Sequence, residues 1–267
     1  MSTNDLAGAT ALVATILAVA LFSAVPAIPE DLVRIPAGSF LMGRDGGPPE
    51  EAPAHRVTLP AFRIQVRKVT NREFAAFLDA AGLTGPDGRR YDDDDADARI
   101  HRRGGRWVAD PGFEEHPAVE VSWFGARDYC AAKGWRLPTE AEWERAARGA
   151  DGRPYPWGTA PPTPERAVFR RPYNATDRGD AHPAGRTPEG VDDLLGNLRE
   201  WTGTALVPYP YAMTPYTGPG RVVVRGASHD DPAESLSVTR RRDYERRGAA
   251  AGHHFVGFRC AVADDGP

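Results

Sequence analysis

The sequence predicts an α+β fold in a single domain that is rich in irregular loops. Glycine and proline, with 28 and 25 copies among 267 residues, make up about a fifth of the chain, which argues against a helix bundle. Helix signals lie in the first half and strand signals lie at both ends, a distribution that indicates α+β. We assign residues 30–267 to this domain and treat residues 1–29 separately.

The overall composition is that of a globular protein with a substantial core. Hydrophobic residues account for 41% of the chain and charged residues for 26%, both ordinary values. Lysine and arginine number 33 against 37 acidic residues, so the net charge is −4. A nucleic-acid-binding protein usually carries a basic excess. We therefore expect no nucleic-acid partner.

The N-terminal segment predicts export. Residues 7–27 carry no charge over a length that could cross a bilayer or form the apolar region of a secretory signal. Ala27 provides a small residue at a plausible cleavage point. Residues 1–29 are expected to be a signal peptide or a retained membrane anchor, which places the domain in the periplasm or outside the cell. Membrane contact is expected only through this segment.

Strands and one helix are predicted at the start of the domain. Residues 32–43 predict a strand, a turn and a second strand, and residues 56–66 predict further extended chain because apolar and polar side chains alternate. A helix should begin at Thr70, which forms a capping-box pattern with Glu73. Residues 83–116 then predict a long surface excursion, in which four consecutive aspartates favour a solvated acidic loop over a calcium site.

Two further helices and two late strands complete the predicted elements. One helix should begin at Ser122, and another at Thr139, whose hydroxyl can cap the amide of Glu142. Regular signals fade for some forty residues after the third helix. Residues 221–226 and 256–260 are rich in Val and Phe and predict strands near the C-terminus.

The two cysteines, Cys130 and Cys260, bear on the compartment. An oxidising compartment favours a single disulfide between them, whereas two unpaired buried thiols are the alternative. Their spacing does not indicate a metal site, because the chain contains no Cys-x-x-Cys motif.

A series of ordered motifs carries a family resemblance. The motifs are Ile35–Gly43 (IPAGSFLMG), Val69–Asn71 (VTN), Val121–Trp123 (VSW), Arg136–Glu144 (RLPTEAEWE), Tyr155–Gly158 (YPWG), Glu200–Thr202 (EWT), Arg225–Ser228 (RGAS) and Gly257–Cys260 (GFRC). In this order the chain resembles the sulfatase-modifying-factor family, whose best-known members are formylglycine-generating enzymes. The resemblance covers roughly residues 32–263. It implies the formylglycine-generating-enzyme variant of the C-type-lectin-like fold, and a disulfide between Cys130 and Cys260.

The resemblance also shows where the chemistry has changed. Formylglycine-generating enzymes oxidise a sulfatase cysteine with oxygen and a copper ion held by two cysteines. Asp231 and Leu236 occupy those two positions here, and Arg199 replaces the tryptophan expected before the Glu-Trp-Thr motif. Soft Cu(I) requires thiolate ligands. We therefore expect neither copper nor formylglycine generation.

Residues near the altered positions are candidates for other chemistry. Ser228, His229 and Asp231 are candidate catalytic residues, because the family builds its active site from this region. His229, His253 and His254 could supply imidazoles to a non-heme iron site, since two histidines and a carboxylate form a common iron triad. Arginines at 240, 241, 242, 246 and 247 predict a rim that favours anionic ligands, with a solvated charged surface as the alternative.

The resemblance further implies a structural calcium ion. In the family, the loop before the Glu-Trp-Thr motif binds calcium through side-chain and backbone oxygens. The corresponding residues are Asp193, Gly196, Leu198 and Glu200, a set of hard oxygen donors suited to this ion.

Two functions remain open from the sequence. The first is an accessory oxidoreductase, with iron as a candidate cofactor, that acts on a peptide or a secondary metabolite. The second is a non-catalytic module that binds a ligand or protein on a lectin-like scaffold, in the same groove.

Overall fold

The structure is a computed structural model of the chain, and it describes residues 31–93, 95–210, 214–218, 220–243 and 248–264. The predicted export segment, residues 1–29, lies outside these ranges. Among the helices of the described residues, not one combines the length and the apolar character needed to cross a membrane.

Three α-helices occur in the described part of the chain, and each begins where its cap predicts. They are α1 (Asn71–Ala81), α2 (Trp123–Ala132) and α3 (Glu140–Arg148). The hydroxyls of Thr70, Ser122 and Thr139 each accept a hydrogen bond from the backbone amide three residues later. The Glu73 and Glu142 side chains complete reciprocal capping boxes at α1 and α3. These local interactions account for the accuracy of the helix predictions.

Short strands form two main sheets and two hairpins. The strands are β1 (Leu32–Ile35), β2 (Gly38–Met42), β3 (His55–Leu59), β4 (Phe62–Gln65), β5 (Ile100–Arg103), β6 (Arg106–Ala109), β7 (Arg199–Ala205), β8 (Val222–Arg225), β9 (Arg241–Arg242), β10 (Val256–Gly257) and β11 (Ala261–Ala263). One sheet has the order β1-β4-β11 and the other β10-β7-β8-β9, while β2 pairs with β3 and β5 with β6. The β10–β7 pair is parallel, and the other named pairs are antiparallel.

Two predictions about these elements need correction, and one strand is not predicted. The long excursion is not only surface loop, because it contains the hairpin β5–β6 and the fully buried carboxylate-bearing residue Asp92. Strand β7 follows the stretch in which regular signals fade, and no sequence pattern predicts it. The strand predicted over 256–260 is the shorter β10, because the chain then bends and continues as β11 on the other sheet.

A disulfide joins helix α2 to the short segment between β10 and β11. Cys130 of α2 and Cys260, which immediately precedes β11, are bonded, as the resemblance implies. Both cysteines are fully buried, among aromatic side chains of α1 and α2 that include Phe74 and Tyr129 and pack against Phe258. A second apolar cluster surrounds Trp143 of α3.

A buried network of ion pairs attaches α3 to the sheet that contains β8. Arg225, at the end of β8, donates to Glu140 at 2.8 Å and also to Glu144. Arg241 of β9 donates to both oxygens of Glu140, at 2.6 and 3.0 Å. The Arg225, Glu140 and Glu144 side chains have no solvent exposure. The network therefore fixes the start of the segment that follows β8, which carries the altered family positions.

Candidate functional site

The segment after β8 forms a tight turn around Asp231. The Ser228 backbone amide donates to Asp231 Oδ2 at 2.9 Å, and the Ser228 hydroxyl donates to Asp230 at 2.5 Å and to Asp231 at 3.1 Å. Ser228 is fully buried, and Asp231 is 7% exposed. Two of the three predicted catalytic residues, Ser228 and Asp231, are thus held together, and the Ser228 hydroxyl contacts the carboxylates of Asp230 and Asp231.

Asp231 forms a buried ion pair with Arg199 of β7. The Arg199 Nη2 and Nε atoms lie 2.7 and 3.1 Å from Asp231 Oδ2, and the two side chains are 9% and 8% exposed. Arg242 of β9 approaches Asp231 Oδ1 at 3.4 Å. The Arg199 guanidinium also lies over the ring of Phe255, 5.0 Å from its centroid. Two positions that differ from the family pattern therefore contact each other directly.

The charges around Asp231 keep its carboxyl group ionised. Burial by itself would raise the pKa of Asp231, but the Arg199 guanidinium and the Ser228 amide outweigh burial and hold this pKa below its ordinary value. The second altered position, Leu236, is an aliphatic side chain buried in the apolar cluster around Trp143. A paired carboxylate and a leucine offer no thiolate, so these residues do not fit Cu(I).

His229, which the sequence predicts as a catalytic and iron-binding residue, is held by two backbone groups. Its Nδ1 lies 3.0 Å from the Asn197 carbonyl oxygen, and its Nε2 accepts from the Asn174 backbone amide at 3.0 Å. Nδ1 must carry the proton, because a carbonyl can only accept. Both ring nitrogens are used, and burial lowers the pKa of His229. The His229 ring is therefore neutral and links the two loops that contain Asn174 and Asn197.

The neighbouring histidines His253 and His254 point to different surroundings. The His253 ring stacks on Phe255, with centroids 5.7 Å apart, and lies near Trp201. The His254 Nδ1 lies 3.2 Å from the Tyr173 hydroxyl. Of the three predicted iron histidines, His229 and His254 lie near each other, with ring centroids 6.4 Å apart, whereas His253 packs against Trp201 and Phe255.

His254 instead joins two carboxylates in what we call the acidic–histidine cluster, composed of Asp97, Glu120 and His254. One potential ligand atom from each residue lies within 4.8 Å of the others. The His254 Nδ1 is 3.9 Å from Glu120 Oε1, and the Tyr173 hydroxyl, itself on an exposed side chain, donates to Asp97. Burial lowers the pKa of His254, so its imidazole is neutral at neutral pH and can offer a lone pair to a cation.

The cluster is assembled from three segments far apart in the chain. Asp97 comes from the excursion before β5, and Glu120 precedes α2 in a left-handed backbone conformation with φ of 58°. Gly252 lets the chain before His254 pass against Glu120, because a Cβ atom there would come within 1.9 Å of the Glu120 carbonyl oxygen. No local pattern in the sequence indicates Asp97, Glu120 or Tyr173, since no two of them share a motif.

Each carboxylate of the predicted calcium site is paired with a cationic side chain of the protein. The Lys68 ammonium donates to the Asp193 backbone oxygen and lies 3.0 Å from Asp193 Oδ2. Glu200 receives two hydrogen bonds from the Arg259 guanidinium, at 2.8 and 2.9 Å. Gly196 and Leu198 lie buried in the same loop. The calcium ion expected from the resemblance stays a prediction, and both of its carboxylates already face positive charge.

An arginine-rich cavity of about 750 Å³ opens beside the Arg199–Asp231 pair. Its walls combine the apolar residues Leu206, Val207 and Pro208 with the arginines 199, 221, 241 and 242 and with the acidic residues Glu50 and Asp243, of which Asp243 pairs with Arg221. Arg242 therefore lies on the predicted arginine rim, whereas Arg241 is mostly engaged by buried Glu140. Arg246 and Arg247 lie outside the described residues.

Comparisons with known proteins agree on one class. Residues 19–264 match the family model of the sulfatase-modifying factor enzyme 1-like domain. The structure of PvdO from Pseudomonas aeruginosa superimposes with a TM-score of 0.67 at 24% identity, covering 87% of this chain and 94% of that one. The fold is thus the formylglycine-generating-enzyme variant of the C-type-lectin-like fold.

Two curated relatives are similar to this chain over more than two thirds of its length. It is 32% identical to the inactive C-alpha-formylglycine-generating enzyme 2 of Mus musculus over 88% of this chain and 87% of that protein. It is 33% identical to the hercynine oxygenase of Mycolicibacterium smegmatis over 69% of this chain and 48% of that protein. The chain belongs to the sulfatase-modifying-factor family.

Some relatives are much longer than the region they share with this chain. The serine/threonine-protein kinase Pkn1 of Chlamydia trachomatis is 33% identical over 86% of this chain, but the match spans only 38% of the kinase. The shared domain therefore occurs in proteins with different names and different overall activities, and the activity must be argued from the site.

The buried Arg199–Asp231 pair predicts a large loss of stability when one partner is removed. We expect Asp231→Asn to lower the free energy of unfolding by about 3–5 kcal/mol, because the buried guanidinium loses its counter-charge. Urea denaturation at neutral pH measures this change. Glu234→Gln is the matched control, because its pair with Arg170 has side chains 72% and 62% exposed, and should change stability by less than about 1 kcal/mol.

The same pair sets a pH dependence. Because the folded-state pKa of Asp231 is depressed, its stabilisation is present above the unfolded pKa of about 4 and is lost as the pH falls through the folded value. The difference in stability between the wild type and Asp231→Asn should therefore shrink in acid. A difference that stayed constant from neutral pH to well below pH 4 would contradict the ion-pair explanation.

Proposed function

We propose that this protein is a metal-dependent oxidoreductase of the sulfatase-modifying-factor family that has lost formylglycine generation. The single observation that carries the proposal is the acidic–histidine cluster, in which Asp97, Glu120 and His254 offer ligand atoms within 4.8 Å of one another. The hercynine oxygenase relative supports oxidative chemistry in the family. We further propose a peptide or secondary metabolite as substrate, and export through residues 1–29.

The donor set of the cluster fits a non-heme iron(II) ion. The cluster offers one neutral imidazole and two carboxylates, donor types that ferrous iron accepts, although the common iron triad has two histidines and one carboxylate. Bound iron would supply one-electron chemistry with oxygen. Asp97 and Glu120 would neutralise the ion, and the Tyr173 hydroxyl, which donates to Asp97 and lies 3.2 Å from His254, would orient both ligands. The exposure of Tyr173 leaves this side open to a substrate.

Retention of a redox metal tests the proposal. Protein purified without chelators is expected to contain nearly equimolar iron or manganese by elemental analysis, and His254→Ala should remove most of it, because the only imidazole of the cluster is lost. His101→Ala is the control, since this histidine lies on the hairpin β5–β6 and pairs with Asp110. Equal metal content in the wild type and His254→Ala, or no uptake of ferrous iron under anaerobic conditions, would contradict the assignment.

Formylglycine generation is expected to be absent. Asp231 and Leu236 hold the positions of the two copper thiolates, and Asp231 is committed to Arg199. The two cysteines of the chain are joined in the disulfide, so neither can substitute as a thiolate ligand. A Cys-x-Pro-x-Arg peptide incubated with the protein, Cu(I), reductant and air should remain unmodified by mass spectrometry. Copper-dependent turnover would show that another group holds the metal.

A second candidate function, binding of an anionic ligand without catalysis, is favoured by the arginine-lined cavity. Arg242 lies at its wall with 30% side-chain exposure, so its guanidinium can reach both Asp231 and a ligand. A charge-assisted hydrogen bond contributes about 1.5–3 kcal/mol, hence Arg242→Gln should weaken the binding of a short acidic peptide by about tenfold or more. Arg170→Gln, an exposed arginine outside the cavity, is the matched control. Unchanged affinity in calorimetry would exclude this role for Arg242.

A further inference from the structure

Lys68 lies at the centre of the loop that the family resemblance assigns to calcium. This lysine directly precedes Val69 and the cap of α1, and its side chain is completely buried. Its ammonium donates to the backbone oxygen of Asp193, lies 3.0 Å from Asp193 Oδ2 and lies 3.5 Å from Glu200 Oε1. A buried ammonium on a flexible stem normally requires this kind of multiple pairing. The loop therefore already contains a cation.

The charges of the loop balance without a metal ion. Burial raises the pKa of Asp193, while Lys68, Asn197 and Arg259 oppose this rise. With Asp193 and Glu200 ionised, their two negative charges are matched by the two positive charges of Lys68 and Arg259. The Arg259 guanidinium donates to both Glu200 oxygens and to the Asp192 backbone oxygen at 2.9 Å. All four side chains are at most 6% exposed. A divalent ion added to this group would leave two uncompensated positive charges in a buried setting, which is costly.

The oxygen atoms that would bind calcium also have other donors. Asp193 Oδ2 accepts from Asn197 Nδ2 at 2.9 Å in addition to Lys68. The Asp193 backbone oxygen accepts from Lys68 and, at 3.4 Å, from Arg259. Calcium takes six to eight oxygen ligands, so binding it here would require these hydrogen bonds to break. The residues present do not fit the calcium ion of the family.

We propose that the Lys68 ammonium takes the place of the family's calcium ion, so that the loop from Asp193 to Glu200 is held by a cation built into the chain. The loop leads directly into β7, whose first residue is Arg199. The ion-pair site at Arg199 is thus positioned without dependence on calcium supply. With a neutral residue at position 68, the two carboxylates face only Arg259. The loop then carries a net negative charge that a bound cation would neutralise.

Thermal unfolding with and without calcium tests the proposal on the full chain. The wild type should have the same Tm in millimolar calcium and in excess EGTA. Lys68→Gln should have a lower Tm in EGTA, and saturating calcium should raise it by roughly 5–10 °C, as expected for a ligand well above its Kd. The double variant Lys68→Gln/Glu200→Gln should lose this response, which separates it from calcium bound at the acidic–histidine cluster. Lys133→Gln, at the only other lysine of the chain and exposed, should behave as the wild type.

Two results would overturn the proposal. The first is a wild-type Tm that falls in EGTA, with the fall abolished by Glu200→Gln, because calcium would then occupy the loop despite Lys68. The second is a folded Lys68→Gln variant whose Tm does not respond to calcium. If Lys68→Gln does not fold, the wild-type comparison, repeated in Glu200→Gln, still decides whether calcium binds this loop. Whether the acidic–histidine cluster holds iron does not change how these two Tm results are interpreted.

Discussion

The buried pairing of Arg225 with Glu140 and Glu144 is the interaction on which the rest of the structure depends. It joins the Arg-Gly-Ala-Ser motif at the end of β8 to the Glu-Ala-Glu-Trp-Glu motif of α3. Glu144 also accepts from the Gly43 amide at 2.8 Å and from Arg148, so the loop after β2 belongs to the same network. Charges without solvent exposure are stable only when every partner is in place. This requirement connects segments that share few regular hydrogen bonds.

Much of the fold could be predicted from the sequence, because its helices are defined by local signals. A capping hydroxyl and a glutamate three residues later act within one turn. Thr70 and Thr139 therefore mark the starts of α1 and α3 without knowledge of the tertiary structure. Strand β7 was missed for the opposite reason. Its pairing with β8 and β10 is non-local, and its sequence, which contains Arg199, Glu200 and three threonines or glycines, has no apolar alternation.

The candidate site was predicted only where a motif pointed to it. The Arg-Gly-Ala-Ser motif located Ser228 and Asp231, and the family pattern showed that Arg199 was unusual. The contact between Arg199 and Asp231 could not be predicted, because it depends on how β7 and the segment after β8 approach each other in space. The acidic–histidine cluster was inaccessible for the same reason. Asp97 and Glu120 gain their significance only when the chain before His254 packs against them, which Gly252 permits.

The two regions in which the family binds metal ions share one electrostatic feature in this chain. Where the family holds copper, this chain places a guanidinium and a carboxylate that neutralise each other. Where the family holds calcium, it places the ammonium of Lys68 between two carboxylates. In each case a protein cation lies against buried negative charge in the region where the family binds a metal ion. The acidic–histidine cluster differs from both regions, because it places a neutral imidazole, that of His254, beside the carboxylates of Asp97 and Glu120. Imidazole and carboxylate are donors that divalent transition metals accept, so the proposed metal site lies at this cluster and not at the positions inherited from the family.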